Sequence, residues 1–266
     1  MSVLVDDPLI ASMTITRTLP LHESSRRLRE LYPECPRVYG VAVMKDLSRR
    51  RWWPLAEALT TNRLQGMFDL AAEETDSRAA VTHQLAATLA HVVVGRVIPL
   101  VVLEGRAWDT GLENLWVHVD SEGAIDWVGV VDPTVRALPD DPYFERRTVR
   151  AGQSTRDGIV ALPSEAALTT WIAHRSHRAL TPLFGKLAEI SAGAMSVAAM
   201  WHVVGGAVVS AATQVPLLAG SSELTSMRRG QAVLDAFVGF GLPVRGSSRI
   251  PLGESLAKLG QPCLSS

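Results

Sequence analysis

The apolar and polar positions change their period twice along the chain. From Thr61 to Leu103 apolar residues recur at helical spacing, as one or two long helices with Asp76-Ser77 as a cap between them. Before that, Ser24-Ser25-Arg-Arg-Leu-Arg-Glu-Leu31 pairs its charges at helical intervals behind an N-cap serine, and Tyr32-Pro33 ends it. Between Leu115 and Val131 the period drops to that of strands. Leu115–Asp120 and Ala124–Val131 read as a β-hairpin around Ser121-Glu122-Gly123, whose glycine is available for positive φ. Pro133–Arg156 is rich in Pro, Asp and Arg and reads as a loop. Helical spacing returns at Pro163-Ser164, with Ser164 as cap. The run Ala167–Val215 then reads as a hairpin or small bundle broken near Gly193 or Gly205-Gly206, and a last helix covers Glu223–Phe240.

The expected fold class is therefore α+β: mainly helical, with a small antiparallel sheet in the middle and a C-terminal helical bundle. The expected organisation is an N-terminal α+β region (1–135), a loop or linker (136–162) and a C-terminal helical region (163–266), packed as one unit.

Composition narrows the function classes. Of 266 residues 47% are hydrophobic and 20% charged, which suits a well-packed core rather than a disordered chain. A net charge of −1 gives no electrostatic case for nucleic acid or an anionic membrane. Cys35 and Cys263 are too few for a disulfide framework, and the Met-Ser opening reads as no secretory leader, so the cytoplasm is the expected compartment. Thr88–Leu103 is interrupted by His91 and Arg96. Ile190–Leu218 is diluted by Trp201, His202, Thr213, Gln214 and many small residues, so no stable membrane insertion is expected. Nothing in the pattern sets an oligomeric state.

Candidate chemistry is sparse. No phosphate-binding loop, dinucleotide fingerprint or nucleophile elbow is present. His174 and His177 share a helix face in Trp171-Ile-Ala-His-Arg-Ser-His-Arg178. Arg175 and Arg178, interleaved with them, oppose a cation and suit a carboxylate or phosphate instead. Arg49-Arg50-Arg51-Trp52-Trp53 offers three guanidiniums beside two indoles, either a grip for a planar anionic ligand or the approach to a helix with its tryptophans in the core. His91 and His202 each lie inside an apolar helix, as hydrogen-bonded core residues or as pocket groups. A haem ligand role for either has no Cys-x-x-Cys-His and no aromatic box behind it. Asp126, Asp132, Asp140 and Asp141 sit around strand ends and in a loop, where turn chemistry accounts for them.

The last residues carry the most specific signal. Leu242-Pro-Val-Arg-Gly-Ser247-Ser248 is followed by a basic, Pro-containing spacer and then Leu259-Gly260-Gln-Pro-Cys263. This resembles the C-terminus of the FhuF-like ferric-siderophore reductases, which end in Cys-Cys, a spacer of about ten residues and Cys-x-x-Cys, four thiolates that hold a 2Fe–2S cluster. Here the first pair falls on Ser247-Ser248 and the second on Leu259 or Gly260 and on Cys263, so at most one thiolate remains. From Leu55 onward the body resembles the same family, in Thr61-Asn62-Arg-Leu64, in the run His83–Val102, and in Ala179-Leu-Thr-Pro182-Leu before Met200-Trp201-His202. It is also distantly similar to the C-terminal region of siderophore synthetases of the aerobactin type.

The resemblance implies an iron–siderophore context and a fold of this kind. It implies a small-molecule ligand, a ferric siderophore or its precursor, and a chain without the family's electron carrier. No 2Fe–2S cluster and no other cofactor is expected. The expected ligand contacts are Trp201 and His202, lining a cavity between the C-terminal helices and the hairpin, and at least one of the patches Arg51-Trp52 and His174-Arg175-His177-Arg178 on its border. The second reading is an enzyme on the same scaffold that uses a pocket histidine or a separate cofactor.

Overall fold

The computed structural model describes residues 9, 12–15, 17–145 and 158–245, and the fold across them is α+β and mainly helical. In chain order the N-terminal elements are helix α1 (Pro20–Glu30), strands β1 (Ala42–Val43) and β2 (Trp52–Pro54), and helices α2 (Glu57–Thr60), α3 (Arg63–Glu73), α4 (Arg78–Ala90) and α5 (Ile98–Glu104). The middle holds β3 (Arg106–Ala107), β4 (Leu115–Val119), β5 (Ile125–Val130), β6 (Val135–Ala137), the short helix α6 (Pro142–Glu145) and β7 (Ile159–Ala161). Three long helices close the described chain: α7 (Glu165–Ile190), α8 (Val197–Ala219) and α9 (Glu223–Gly239).

The helix boundaries follow their caps. Ser77 accepts a hydrogen bond from the Ala80 N–H at 3.2 Å and starts α4; Ser164 does the same for α7 through Ala167. A π-helical turn at His91–Gly95 joins α4 to α5, which stops at Gly105 in the left-handed region. The stretch Arg78–Glu104 is long and apolar enough to cross a membrane, yet 83% of its most apolar window is buried in the fold. It serves as the central core helix. Val197–Ala219 passes the same test of length and composition with 39% buried.

One expectation is corrected and two are made specific. Ser24 and Ser25 do not cap α1, which begins at Pro20 behind Leu19; both serines are buried in its second turn. Arg49–Trp53 approaches helix α2 as expected, but through the strand Trp52–Pro54, with both tryptophans buried. The C-terminal hairpin breaks at Ser191–Ser196, where Gly193 has φ of 74°, and not at Gly205-Gly206.

The first sheet has the order β1-β5-β4-β2. The expected hairpin is its centre, β4 antiparallel to β5; β2 adds antiparallel and β1 parallel. Alternation sends Val43, Trp53, Leu115, Val117, Val128 and Val130 into the main core. The other face carries Ala42, Met44, Trp52 and Trp127 as a small second cluster, with Trp116 against it. A three-stranded sheet, β3-β6-β7, takes β6 and β7, parallel to each other, from the stretch 133–162 read as a loop or linker. In the bundle, Trp201 on α8 meets Phe184 on α7 and Phe237 on α9 at ring separations of 5.4 and 6.0 Å. Truncating such a ring costs about 3–5 kcal/mol.

Candidate functional site

Helix α1 turns polar side chains inward, and each has a partner. The His22 Nδ1 accepts the Leu19 N–H at 2.9 Å, so Nε2 carries the proton and donates to Asp46 at 2.8 Å. The Ser25 hydroxyl donates to the Val41 carbonyl at 2.6 Å and accepts the Val41 N–H. The Ser24 hydroxyl donates to Glu104 at 2.8 Å. These bonds fix the helix face on, leaving Glu23, Arg27, Glu30 and Leu31 toward a groove of about 740 Å³. Leu103, Glu104 and Arg106 form its floor, and Asp141, Tyr143, Leu218 and Ser221 complete its wall.

The groove's electrostatics are decided by Arg106. Its guanidinium is nearly buried and grips both carboxylate oxygens of Asp141, one at 2.7 Å, while Nη1 reaches Ser24 and Glu104 at 3.1 Å each. Burial pulls its pKa down, but the hydrogen bonds and charge of Asp141, with Glu104 and Glu23, outweigh that and raise it. Arg27 donates to Glu104 at 2.7 Å. Both guanidiniums that line the groove are thus bonded to carboxylates. Glu104 and Asp141 bind these two arginines and Glu30 pairs with Arg26, outside the lining, at 2.7 Å, so of the four carboxylates Glu23, Glu30, Glu104 and Asp141 one negative charge is left in excess.

The residues singled out from the sequence lie elsewhere. Trp201 is buried at 3% exposure among rings and stacks edge-on with His177 at 5.9 Å; His202 beside it is partly exposed. His174 and His177 both meet Phe240 at 5.9 Å, and burial together with the His174 charge lowers the His177 pKa. Arg175 donates to Asp109 at 2.7 Å and to Glu113, so its guanidinium is engaged within the chain; Arg178 is exposed. Arg51 is exposed, with φ of 63°, and Trp52 is buried against His118. The structure thus gathers His174 and His177 around Phe240 with Trp201 against His177, and none of these residues lines the groove. Ser247, Ser248, Leu259, Gly260 and Cys263 lie outside the described residues.

Two polar centres were not singled out. His118 Nδ1 lies 2.7 Å from Asp126, whose other oxygen accepts from Arg37. A β-bulge brings them together: His118 pairs with Trp127 and Val119 with Ile125, so Asp126 is the extra residue of β5. Behind it Arg96 is buried, donating to the carbonyls of Arg37, Gly40 and Asp126. Burial lowers its pKa to about 9, with the Asp126 charge opposing. His91 donates to the Val38 carbonyl at 2.9 Å, the hydrogen-bonded core role expected for one of its alternatives. Period-two alternation alone places Trp116 and His118 on one face; only the pairing supplies Asp126. Among the described residues no three His, Cys, Asp or Glu side chains gather as a metal site.

No family model and no curated protein matches the sequence. Among solved structures the fold is similar to the aerobactin synthetase IucC from a hypervirulent pathotype of Klebsiella pneumoniae, with a TM-score of 0.52 and 13% identity. The likeness covers 80% of this chain and 42% of the synthetase, so the chain spans less than half of that protein's length. At that identity the likeness is one of fold.

Proposed function

We propose that the protein binds an amine-bearing precursor of a siderophore in the groove between α1 and α5, on a scaffold related to the FhuF-like reductases but without a resident iron–sulfur cluster. The observation that carries this reading is the groove's charge: its arginines are already bonded, and its carboxylates are in excess. An anionic ferric siderophore would meet repulsion there. An ammonium group at the rim meets Glu23 and shares Glu30 with Arg26, while its methylene chain lies along Leu28, Leu31, Leu103 and Leu218. Charge-assisted hydrogen bonds of that kind contribute about 1.5–3 kcal/mol each. The siderophore context is supported by the C-terminal sequence resemblance and by a fold similar to that of a protein named as an aerobactin synthetase. The absence of a cluster is supported by Ser247, Ser248 and Leu259 or Gly260 at the family's ligand positions.

Calorimetric titration with 1,5-diaminopentane tests the reading. Binding that weakens at least tenfold in the Glu23→Gln, Glu30→Gln double variant, and that fades with added salt, is the expected result. Affinity unchanged in that variant removes the groove from the account.

A further inference from the structure

The outer face of the first sheet, opposite to the core and apart from the groove, combines four features that have no structural need of one another. The first is orientation. Asp126 is the bulged residue of β5, and its carboxylate, which only accepts, fixes the proton of His118 on Nδ1. The Nε2 lone pair of the neutral imidazole then points away from the pair as an acceptor. It has no protein partner among the described residues and is not one of the buried unpartnered atoms, so it reaches solvent although His118 is only 7% exposed.

The second feature is an unused donor. Trp52, whose ring lies 5.4 Å from that of His118, is 6% exposed, and its indole N–H is buried without a hydrogen-bond partner. Such a group carries a desolvation penalty that a bound acceptor would remove. The third is charge. Asp126 is already held by Arg37, and Arg49, Arg50 and Arg51 are three consecutive exposed residues that lead into Trp52. Arg49 lies over the Trp116 ring at 4.9 Å, on the same face two residues before His118. The fourth is strain: Arg51, whose carbonyl accepts the N–H of Val119, holds a left-handed φ of 63° that a residue with a side chain adopts at a cost.

We infer that this face is a second ligand site, for a small carboxylate that also carries a hydroxyl: the arginines take its charge, the Trp52 indole N–H donates to it, and His118 Nε2 accepts its hydroxyl proton in a hydrogen bond. A bare anion would satisfy the arginines and leave the oriented acceptor unused. A hydroxyl-bearing one satisfies both. The site takes the opposite charge from the groove, so the two do not compete for one ligand.

Malate and succinate differ by that one hydroxyl and carry the same charge, so calorimetry with the two on the unaltered protein isolates the contribution of His118. Malate is expected to bind about tenfold more tightly, the value of one good hydrogen bond. In His118→Phe the preference should vanish, with malate falling to the affinity of succinate. Arg49→Ala with Arg50→Ala should weaken both ligands alike. Equal affinities in the unaltered protein, binding of neither, or a preference that survives in folded His118→Phe each overturns the site. The wild-type comparison decides it even where a variant does not fold.

Discussion

Gly205 in α8 lies directly beneath the backbone of Val244, so that a Cβ at position 205 would overlap the Val244 carbonyl oxygen. The glycine read from the sequence as one of two possible helix breaks instead seats the segment Leu242–Arg245. That segment rests on α8 one turn beyond Trp201-His202.

Gly205→Ala should therefore lower stability by about 1–3 kcal/mol, as overpacking against backbone does. Gly185, in the middle of α7 with open space where its Cβ would be, is the control. Gly185→Ala should raise stability by up to about 1 kcal/mol through helix propensity. Urea denaturation of the two variants checks the contrast, which a loose packing at Val244 would erase.

Acid should destabilise the fold through His91. Burial, with the positive charge of Arg96, lowers its pKa from 6.5 to about 3, although the hydrogen bond to the Val38 carbonyl pulls the other way. As pH falls below 6.5 the unfolded imidazole takes up a proton and the folded one does not. Stability is full above that pH and is lost between it and about 3, by up to ~1.4 kcal/mol per pH unit. His91→Gln should flatten this slope. A parent protein whose stability is level from pH 7 to pH 4 would refute it.

Asp141→Asn leaves Arg106 nearly buried with half its charge partner gone. A loss of about 3–5 kcal/mol is expected, measured by denaturation. Glu113→Gln, which removes an exposed partner of Arg175, should cost under about 1 kcal/mol.

On the proposed resemblance to the FhuF-like tail, in which Ser247, Ser248 and Leu259 or Gly260 stand where that family has cysteines, freshly purified protein handled without oxygen should be colourless in the visible range and hold no stoichiometric iron or acid-labile sulfide. A broad brown absorption with two irons and two sulfides per chain would contradict that, and with it the proposal that the scaffold has lost its electron carrier.

The sequence made the long elements legible because their signals are local. Ser77 and Ser164 cap their helices, Gly123 turns the hairpin with φ of 84°, and Gly193 breaks the bundle. The two- and three-residue strands β1, β2, β3, β6 and β7 carry no usable period, and their partners are distant in sequence. The sites were harder for the same reason. Trp201 follows a helical pattern whether it lines a cavity or fills a core, and the ring partners Phe184 and Phe237 that decide the matter come from other helices. Arg175 reads as a free cation until the loop carrying Asp109 and Glu113 folds onto it. Likewise Ser24 and Arg106 stand eighty-two positions apart yet share one network in the groove.

The charge of that groove is the centre of the account, and chemical-shift mapping tests it most directly. On titration with 1,5-diaminopentane, amide signals of Glu23–Leu31, Leu103–Arg106 and Tyr143 should move together and saturate, while glutarate, of matched length and opposite charge, should leave them in place. Glutarate shifting these signals, or the diamine leaving them unmoved, would contradict the assignment of the groove to an amine-bearing ligand.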